Sequence, residues 1–298
     1  MKKYTYLILA AIILFYGNTA LSNDAGNNKS SSNENKKEVV PGSGQSGTTI
    51  SLGYDEGKLK YYEYLNGNEL DSDKGTLKGG YLEVRTDYYD IFARLSFDYV
   101  STNDATYNGF LQDLSGNILG PYSHTIKEKF ALTVGDFGYK VLNFGTTTVS
   151  LYGGVGYWYW LRGENNLPDY EETYSWFFVE GGVNGAVRVG RFLFQLDGTL
   201  TYPISPTMTT SVAGTFDKAT FRLGPKVGYR AEAPIRFDFS RGDETSVFLF
   251  VTPYYLKWNV RQSDEVTLTS GGIPIGNAVE PESKTEIYGF RVGLGVNF

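Results

Sequence analysis

Hydrophobic and polar residues alternate one by one along most of the chain from Thr48 onward. The last segment is the clearest example, with apolar residues at Tyr288, Phe290, Val292, Leu294, Val296 and Phe298. The positions between them are Gly289, Arg291, Gly293, Gly295 and Asn297. Because successive side chains of a β-strand point to opposite faces, this period of two predicts a strand with one apolar and one polar face.

The same alternation recurs along the chain and predicts an all-β protein. Strands are expected near 48–64, 76–87, 90–102, 122–142, 146–162, 171–189, 191–203, 217–237, 245–261 and 282–298. Tight turns are expected near 87–90, 143–145 and 190–191, and long polar connections near 65–75, 103–121, 204–216 and 262–281. Short turns at one end and long loops at the other are typical of a transmembrane antiparallel up-and-down β-barrel. We expect about ten strands, with eight or twelve also possible.

Aromatic residues are abundant, with 24 Tyr, 19 Phe and 4 Trp, beside 36 Gly. A secreted β-sandwich could share this composition, but the long apolar stripes favour a barrel. Aromatic residues border these stripes in Tyr157-Trp158-Tyr159-Trp160 and in Tyr254-Tyr255. Rings with a polar tip suit the boundary between bilayer and water, so we expect these side chains there.

The N-terminal region differs in composition from the rest. Residues 1–22 read as a secretory signal peptide, with Lys2 and Lys3, an apolar run over 7–15, and a small-residue cleavage site at 20–22. That run is shorter than the roughly 20 residues that a membrane-spanning helix needs. Residues 23–47 contain few apolar side chains, which predicts a disordered tail or, alternatively, a charged interaction arm. The barrel is expected over 48–298.

The final strand carries the most specific motif. Arg291, Gly293, Val296 and Phe298 give a polar residue, a glycine two places on, and hydrophobic residues at the antepenultimate and last positions. This resembles the C-terminal β-signal of bacterial outer-membrane β-barrels, and the wider chain is similar to opacity-like surface proteins and small porin-like barrels. The resemblance implies a Gram-negative outer-membrane protein whose last strand is bound by the barrel-assembly machinery. Outer-membrane lipid would surround it, and its tail and C-terminus would face the periplasm.

Charge and the rare residue types limit the possible chemistry. The net charge is −6, and without Lys2 and Lys3 the balance is 25 basic against 33 acidic residues, so nucleic acid is not an expected partner. The chain has no Cys and one His, which argues against thiolate catalysis and cysteine-ligated metal. We therefore expect no metal site and no cofactor.

Enzymatic barrels provide a further test. Omptin-type proteases pair Asp-Asp with Asp-His in their outer loops. Here Asp71 and Asp73 could supply the first pair, but His124 has no aspartate beside it in the sequence. Ser123 is adjacent to His124, and neighbours in a strand point to opposite faces, so the two cannot act as nucleophile and base. We predict no catalytic residues.

Charged residues on the polar face of the strands would line the lumen. The acids assigned to it are Glu83, Asp98, Glu180 and Asp197, and the bases are Arg85, Arg94, Arg188, Arg222, Lys226, Arg230, Lys257, Arg261 and Arg291. This predicts a net positive lumen, which would form either a salt-bridged plug or a narrow anion-leaning channel. The favoured function is a surface-exposed membrane protein with a structural or interaction role through its loops. The sequence does not identify an extracellular ligand.

Overall fold

The computed structural model describes residues 46–112, 118–163, 170–212, 216–239 and 245–298. The long strands are β1 (Gly47–Leu65), β2 (Asn68–Tyr88), β3 (Ile91–Gln112), β4 (Ile118–Asn143), β5 (Thr147–Arg162), β6 (Tyr170–Val189), β7 (Phe192–Val212), β12 (Ser246–Arg261) and β15 (Glu282–Asn297). The short strands are β8 (Phe216–Arg222), β9 (Gly224–Pro225), β10 (Gly228–Glu232), β11 (Ile235–Asp238), β13 (Val266–Ser270) and β14 (Ile273–Ala278). Among the described residues no helix is long and apolar enough to cross a membrane. The predicted signal peptide, and the tail up to residue 45, lie outside the described residues.

The strands form a closed antiparallel barrel. Each strand from β1 to β7 pairs with the next, and the short strands β8 to β11 together take the eighth position between β7 and β12. β15 pairs with β12 on one side and with β1 on the other, from Thr49↔Asn297 to Tyr64↔Glu282. This pairing closes the sheet and leaves no free edge. The predicted up-and-down barrel of about ten strands is confirmed.

The eighth position of the barrel wall consists of four short strands, whereas the sequence predicted one continuous strand over 217–237. Pro225 and Pro234 lie at the interruptions, and proline lacks the N–H that a central strand must donate. Backbone hydrogen bonds still hold the pieces in the wall, from Gln195 N to Pro234 O at 2.8 Å and from Ala233 N to Pro253 O at 2.9 Å.

We call the two ends of the barrel the turn end and the loop end. At the turn end, residues 89–90, 144–146 and 190–191 are short connections, close to the predicted tight turns. At the loop end, most of the predicted long connections are instead strand. Only Asn66 and Gly67 separate β1 from β2, both with positive φ, as a two-residue hairpin turn requires. The exception is 262–281, which carries the separate hairpin β13–β14.

The outer face of the barrel is an apolar band between two aromatic girdles. Exposed rings at the loop-end girdle are Tyr54, Tyr99, Phe177, Tyr202, Tyr229 and Tyr288, and those at the turn-end girdle are Tyr88, Tyr139, Phe144, Phe192 and Phe298. Between them Leu52 and Leu196 are 66% and 69% exposed. The strand from Tyr288 to Phe298, at about 3.3 Å per residue and a tilt near 40°, covers about 25 Å, the height of an outer-membrane apolar band. We take the stretches between the girdles as the membrane-spanning segments.

Three of the predicted boundary aromatics, Trp158, Trp160 and Tyr254, lie inside the barrel. The two tryptophans are 1% exposed and Tyr254 is 8% exposed, while the tyrosines that alternate with them lie on the outer face, namely Tyr157, Tyr159 and Tyr255. The prediction for these three side chains is wrong, because neighbouring strand residues face opposite sides and the bore accommodates large rings.

Candidate functional site

The bore of the barrel contains four successive layers. From the turn end these are a polar vestibule, a central charge layer, an aromatic plug and a loop-end charge network. The vestibule is a cavity of about 890 Å³, lined by Arg85, Arg188, Arg236 and Gln195 among others. Two further cavities in the described part of the barrel measure about 30 and 10 Å³, each too small for more than one or two water molecules.

The central charge layer is a set of ion pairs that cross the bore. The Arg291 guanidinium contacts Asp55 at 3.1 Å and Glu232 at 2.9 Å, and also donates to Asp98. In the same layer Arg94 contacts Asp136 at 2.7 Å, and Arg230 contacts Glu180 at 2.9 Å. Each arginine is therefore already neutralised by carboxylates of other strands, which is the arrangement a buried charge requires.

Above this layer the bore is filled by aromatic rings, which we call the aromatic plug. Its members are Phe130, Trp158, Trp160, Trp176, Phe178 and Trp258, each 4% exposed or less. The ring centroids of Trp158 and Trp258 lie 5.6 Å apart across the bore, and those of Phe130 and Trp160 lie 5.3 Å apart. Glycine makes room for the plug, since a Cβ at Gly156 would lie 2.2 Å from the Phe178 ring.

The loop-end charge network surrounds a single arginine, Arg162, the last residue of β5. Its guanidinium lies 2.6 Å from Asp73, 2.9 Å from Glu172, 3.1 Å from Glu63 and 3.7 Å from Asp71. These side chains are all less than 10% exposed. Two further buried carboxyls border the network: Glu280 accepts from the Tyr174 hydroxyl at 2.5 Å, and Glu128 accepts from Trp160 Nε1 at 3.1 Å.

This crowding changes the proton affinity of the network, which lies beyond the loop-end girdle. Burial, followed by the Glu63 charge, raises the pKa of the Asp71 carboxyl to about 9. Burial and the Asp73 charge raise the pKa of Glu128 well above its usual value, and burial with the Glu63 charge does the same for Glu280. One arginine cannot neutralise this many carboxylates, so the network retains protons at neutral pH.

Asp71→Asn is expected to flatten the pH dependence of folding stability. Between the ordinary Asp pKa of 3.8 and about 9, the native state keeps a proton on Asp71 that the unfolded chain has lost, so stability falls as the pH rises. Removing this group should reduce the slope by up to about 1.4 kcal/mol per pH unit. Urea titrations in lipid vesicles, at pH values from about 5 to about 9, would measure this slope over most of the range between the two pKa values.

Asp217→Asn is the matched control for that experiment. Backbone and side-chain hydrogen bonds from Gly272, Thr269 and Gly271 lower the pKa of Asp217, so its contribution is lost only as the pH falls, below the tested range. The control should keep the wild-type slope. Equal slopes in Asp71→Asn and wild type would contradict the assignment of a retained proton to Asp71.

His124 lies at the rim of the loop-end network, closer to the acidic pair than its sequence position suggested. β2, β3 and β4 bring Asp73, Tyr107 and His124 into one cross-strand row, with the Tyr107 and His124 ring centroids 4.8 Å apart. Burial and the Arg162 charge lower the pKa of His124. Asp71 and Asp73 lie 3.7 Å and 2.6 Å from the Arg162 guanidinium. Each has one buried carboxylate oxygen without a hydrogen-bond partner among the described residues, and His124 Nδ1 likewise has none. Ser123 is exposed and donates to Tyr107 O at 3.0 Å.

The sequence prediction placed thirteen charges in the lumen, and the structure separates them into two groups. Inside the barrel lie Glu83, Arg85, Arg94, Asp98, Glu180, Arg188, Asp197, Arg230 and Arg291. The prediction is wrong for Arg222, Lys226, Lys257 and Arg261. Arg222 and Arg261 are exposed, Lys226 contacts Glu282, and Lys257 lies 3.9 Å from Glu286 on the outer face.

Two physical reasons account for these errors. The breaks around Pro225 change the strand face, so that Phe221 and Leu223 point into the plug while Val227 and Tyr229 point outward. Lys257 and Arg261 lie beyond the girdle, where the outer face meets water and charge no longer marks the lumen.

The predicted positive lumen is also wrong, because several buried acids escaped the sequence reading. Those missed include Asp55, Glu63, Asp136, Glu172, Glu232, Asp238 and Glu280, together with Arg162. In the loop-end network carboxyls clearly exceed arginines. Asp55 could have been assigned to the inner face from the sequence, because it shares its strand face with Gly53 and Gly57, opposite Leu52 and Tyr54.

The residues of the predicted assembly signal occupy both faces of β15. Arg291 lies in the central charge layer, and Gly293 packs against β1, where a Cβ would lie 2.1 Å from Leu52 O. Phe298 is 60% exposed on the outer face, and Val296 lies on the same face. Recognition of this strand by the assembly machinery stays a prediction. Among the described residues no group of three or more His, Asp or Glu is arranged to hold a metal ion.

Comparison with known proteins gives a match in structure. No family model and no curated protein sequence matches the chain. The outer membrane protease OmpT from Escherichia coli superposes with a TM-score of 0.58 and 13% identity, covering 85% of this chain and 96% of that chain. The chain has the fold of a bacterial outer-membrane β-barrel.

Two further barrels align at lower similarity. The translocator domain of the autotransporter NalP from Neisseria meningitidis has a TM-score of 0.36 and 9% identity, covering 86% of this chain and 90% of that chain. Ail, the attachment invasion locus protein of Yersinia pestis, has a TM-score of 0.30 and 14% identity, covering 86% and 99%.

Proposed function

We propose that this protein is an integral outer-membrane protein that does not conduct ions and that binds a protein partner through its loop end. In this proposal the loop end faces the cell exterior, and the tail and C-terminus face the periplasm. The barrel serves as a rigid anchor. The observation that carries the proposal is the hairpin β13–β14, which exposes apolar residues in water beyond the membrane-spanning segments.

The hairpin displays its apolar tip in a fixed position. Ile273 is 69% exposed and Ile275 is 48% exposed, with Pro274 between them. The Asp217 carboxylate accepts from Thr269 Oγ1 at 2.8 Å, from Gly272 N at 2.9 Å and from Gly271 N at 3.2 Å, which ties the turn to β8. Exposed apolar side chains on an ordered element are a common feature of protein interaction sites, because their burial supplies binding energy.

Two observations weigh against the alternative of an anion-leaning channel. That alternative depended on an excess of lumen cations, and the central arginines are instead neutralised by carboxylates. The aromatic plug also fills the bore between the vestibule and the loop end. Selective conduction requires a continuous wet path lined by the attracting charge.

Cysteine labelling tests the orientation, and the absence of native cysteine makes each introduced thiol unique. Gly276→Cys in the hairpin has open space for a Cβ, and Asp90→Cys is an exposed turn-end control. On intact cells a membrane-impermeant maleimide should label Gly276→Cys and should label Asp90→Cys only after permeabilisation. The reverse pattern would contradict an exterior loop end.

A photo-crosslinker on Gly276→Cys then tests the interaction. In living cultures we expect a defined protein adduct that is lost when Ile273→Ser and Ile275→Ser are combined with the crosslinking site, because the apolar contact is removed. Lys218→Ser, an exposed substitution on β8, should leave the adduct unchanged. An adduct that survives loss of both isoleucines, or no adduct at all, would contradict the proposed interaction surface.

A further inference from the structure

We propose that outward-facing lysines on β1 and β2 form a binding site for the phosphate groups of membrane lipid in the leaflet at the loop end. The site, here called the lysine patch, consists of Lys58, Lys60, Lys74 and Lys78. It lies just beyond the loop-end girdle, in a chain whose net charge is −6. This inference concerns the lipid-facing wall and is independent of the hairpin interaction.

The pairing of β1 with β2 brings like charges together. Lys60 and Lys74 are direct cross-strand partners on the outer face, and Lys58 lies two residues from Lys60 on that same face. Directly opposed like charges destabilise a sheet, and their Cβ atoms are only about 5 Å apart. Among the described residues no carboxylate lies within ion-pair distance of Lys60 or Lys74. An anion bridging the two ammonium groups would remove this repulsion.

Neighbouring acids are already engaged with other lysines. Glu286 lies 2.8 Å from Lys284 and 3.9 Å from Lys257, and Glu282 contacts Lys226. Glu286 is the cross-strand partner of Lys60, and Glu56 is that of Lys78, so the four lysines of the patch still exceed the two acids paired opposite them. An external partner with more than one negative charge would balance this excess of lysines, and a phosphate group has that charge.

Aromatic rings hold the patch at the membrane surface. Lys60 Nζ lies 5.2 Å from the centroid of the Tyr288 ring, a member of the girdle, and the Tyr62 ring lies 5.6 Å from Lys74 Nζ and 5.7 Å from Lys284 Nζ. Below Lys58 on the same face of β1 lies Glu56, and below Glu56 the wall is apolar, with Tyr54 and Leu52 exposed. A ligand that satisfies both surfaces carries its phosphate above its hydrocarbon chains, which describes a lipid rather than free phosphate.

The test compares Lys60→Ser/Lys74→Ser with wild type in phosphatidylcholine vesicles, with and without bis-phosphorylated lipid A. Native mass spectrometry after detergent extraction measures bound lipid A, and urea titration in the vesicles measures stabilisation. Each lysine near an anionic surface contributes about fivefold in affinity, so the double variant should bind about thirtyfold more weakly. In pure phosphatidylcholine the variant should be at least as stable as wild type, because the opposed charges are gone.

Lys218→Ser/Arg222→Ser is the matched control, since it also removes two exposed cations beyond the girdle but from positions that are not cross-strand partners. It should keep wild-type lipid A binding. Equal lipid A binding by wild type and Lys60→Ser/Lys74→Ser would overturn the proposal. Inorganic phosphate that reproduces the stabilisation in pure phosphatidylcholine would overturn the assignment to lipid.

Discussion

Arg162→Gln is expected to lower the free energy of unfolding by about 3–5 kcal/mol at pH 8, because it removes the one cation from a buried cluster of carboxylates. Arg162 contacts Glu63, Asp71, Asp73 and Glu172, and all of these are nearly buried. Glutamine retains hydrogen-bonding groups but carries no charge, so the loss measures the charge itself. Urea unfolding in lipid vesicles, followed by tryptophan fluorescence, gives the difference.

The pH dependence and a second arginine make this result specific. At pH 5 the cluster can take up protons in place of the guanidinium, so the destabilisation should be clearly smaller there. Arg222→Gln, an exposed arginine on the outer face, should change stability by no more than about 0.5 kcal/mol. A loss that is equal at both pH values would show that Arg162 acts through packing and not through its charge.

Trp158→Ala/Trp258→Ala is expected to give measurable ion conductance to a barrel that does not conduct in its wild-type form. The two rings face each other 5.6 Å apart in the plug, so their removal leaves a void between the central layer and the loop-end network. Each large-to-small change should also cost about 3–5 kcal/mol of stability. Single-channel recording in planar bilayers, with heat-dependent gel mobility to verify insertion, compares the variant with wild type.

Tyr157→Ala/Tyr159→Ala is the appropriate comparison for the plug. It removes two aromatic rings from the same strand, but from the outer face, so it should remain silent. Discrete conductance steps from inserted wild-type protein would contradict a closed bore. Silence of the tryptophan variant would instead place the barrier in the charge layers.

The sequence allowed the fold to be predicted because the bilayer imposes a strict pattern. From Tyr288 to Phe298 every second residue is apolar, and apolar residues predominate at the outward positions of the other spanning strands. Beyond the girdles both faces of a strand can meet water. The alternation then fades, which is why the loop-end halves of β2, β3 and β7 were read as loops.

The interior was harder to predict, for a reason visible at particular residues. The plug is apolar, so Trp158 and Phe221 look like lipid-facing side chains in the sequence. Asp71 and Asp73 were noticed as a pair, but their partner Arg162 lies 89 residues from Asp73 along the chain. Only the closed barrel brings these groups together, and no local spacing encodes that contact.

The central charge layer also bears on how the last strand finds its place. On its lipid-facing side β15 repeats every two residues, so a shift by two along β1 would keep Val292, Leu294 and Val296 in the bilayer. On its inner side the shift would place Arg291 opposite Gly53 or Gly57 and break the buried ion pair between its guanidinium and Asp55. A single arginine thus distinguishes the correct alignment of the closing seam from its nearest competitors, which hydrophobicity alone leaves almost degenerate.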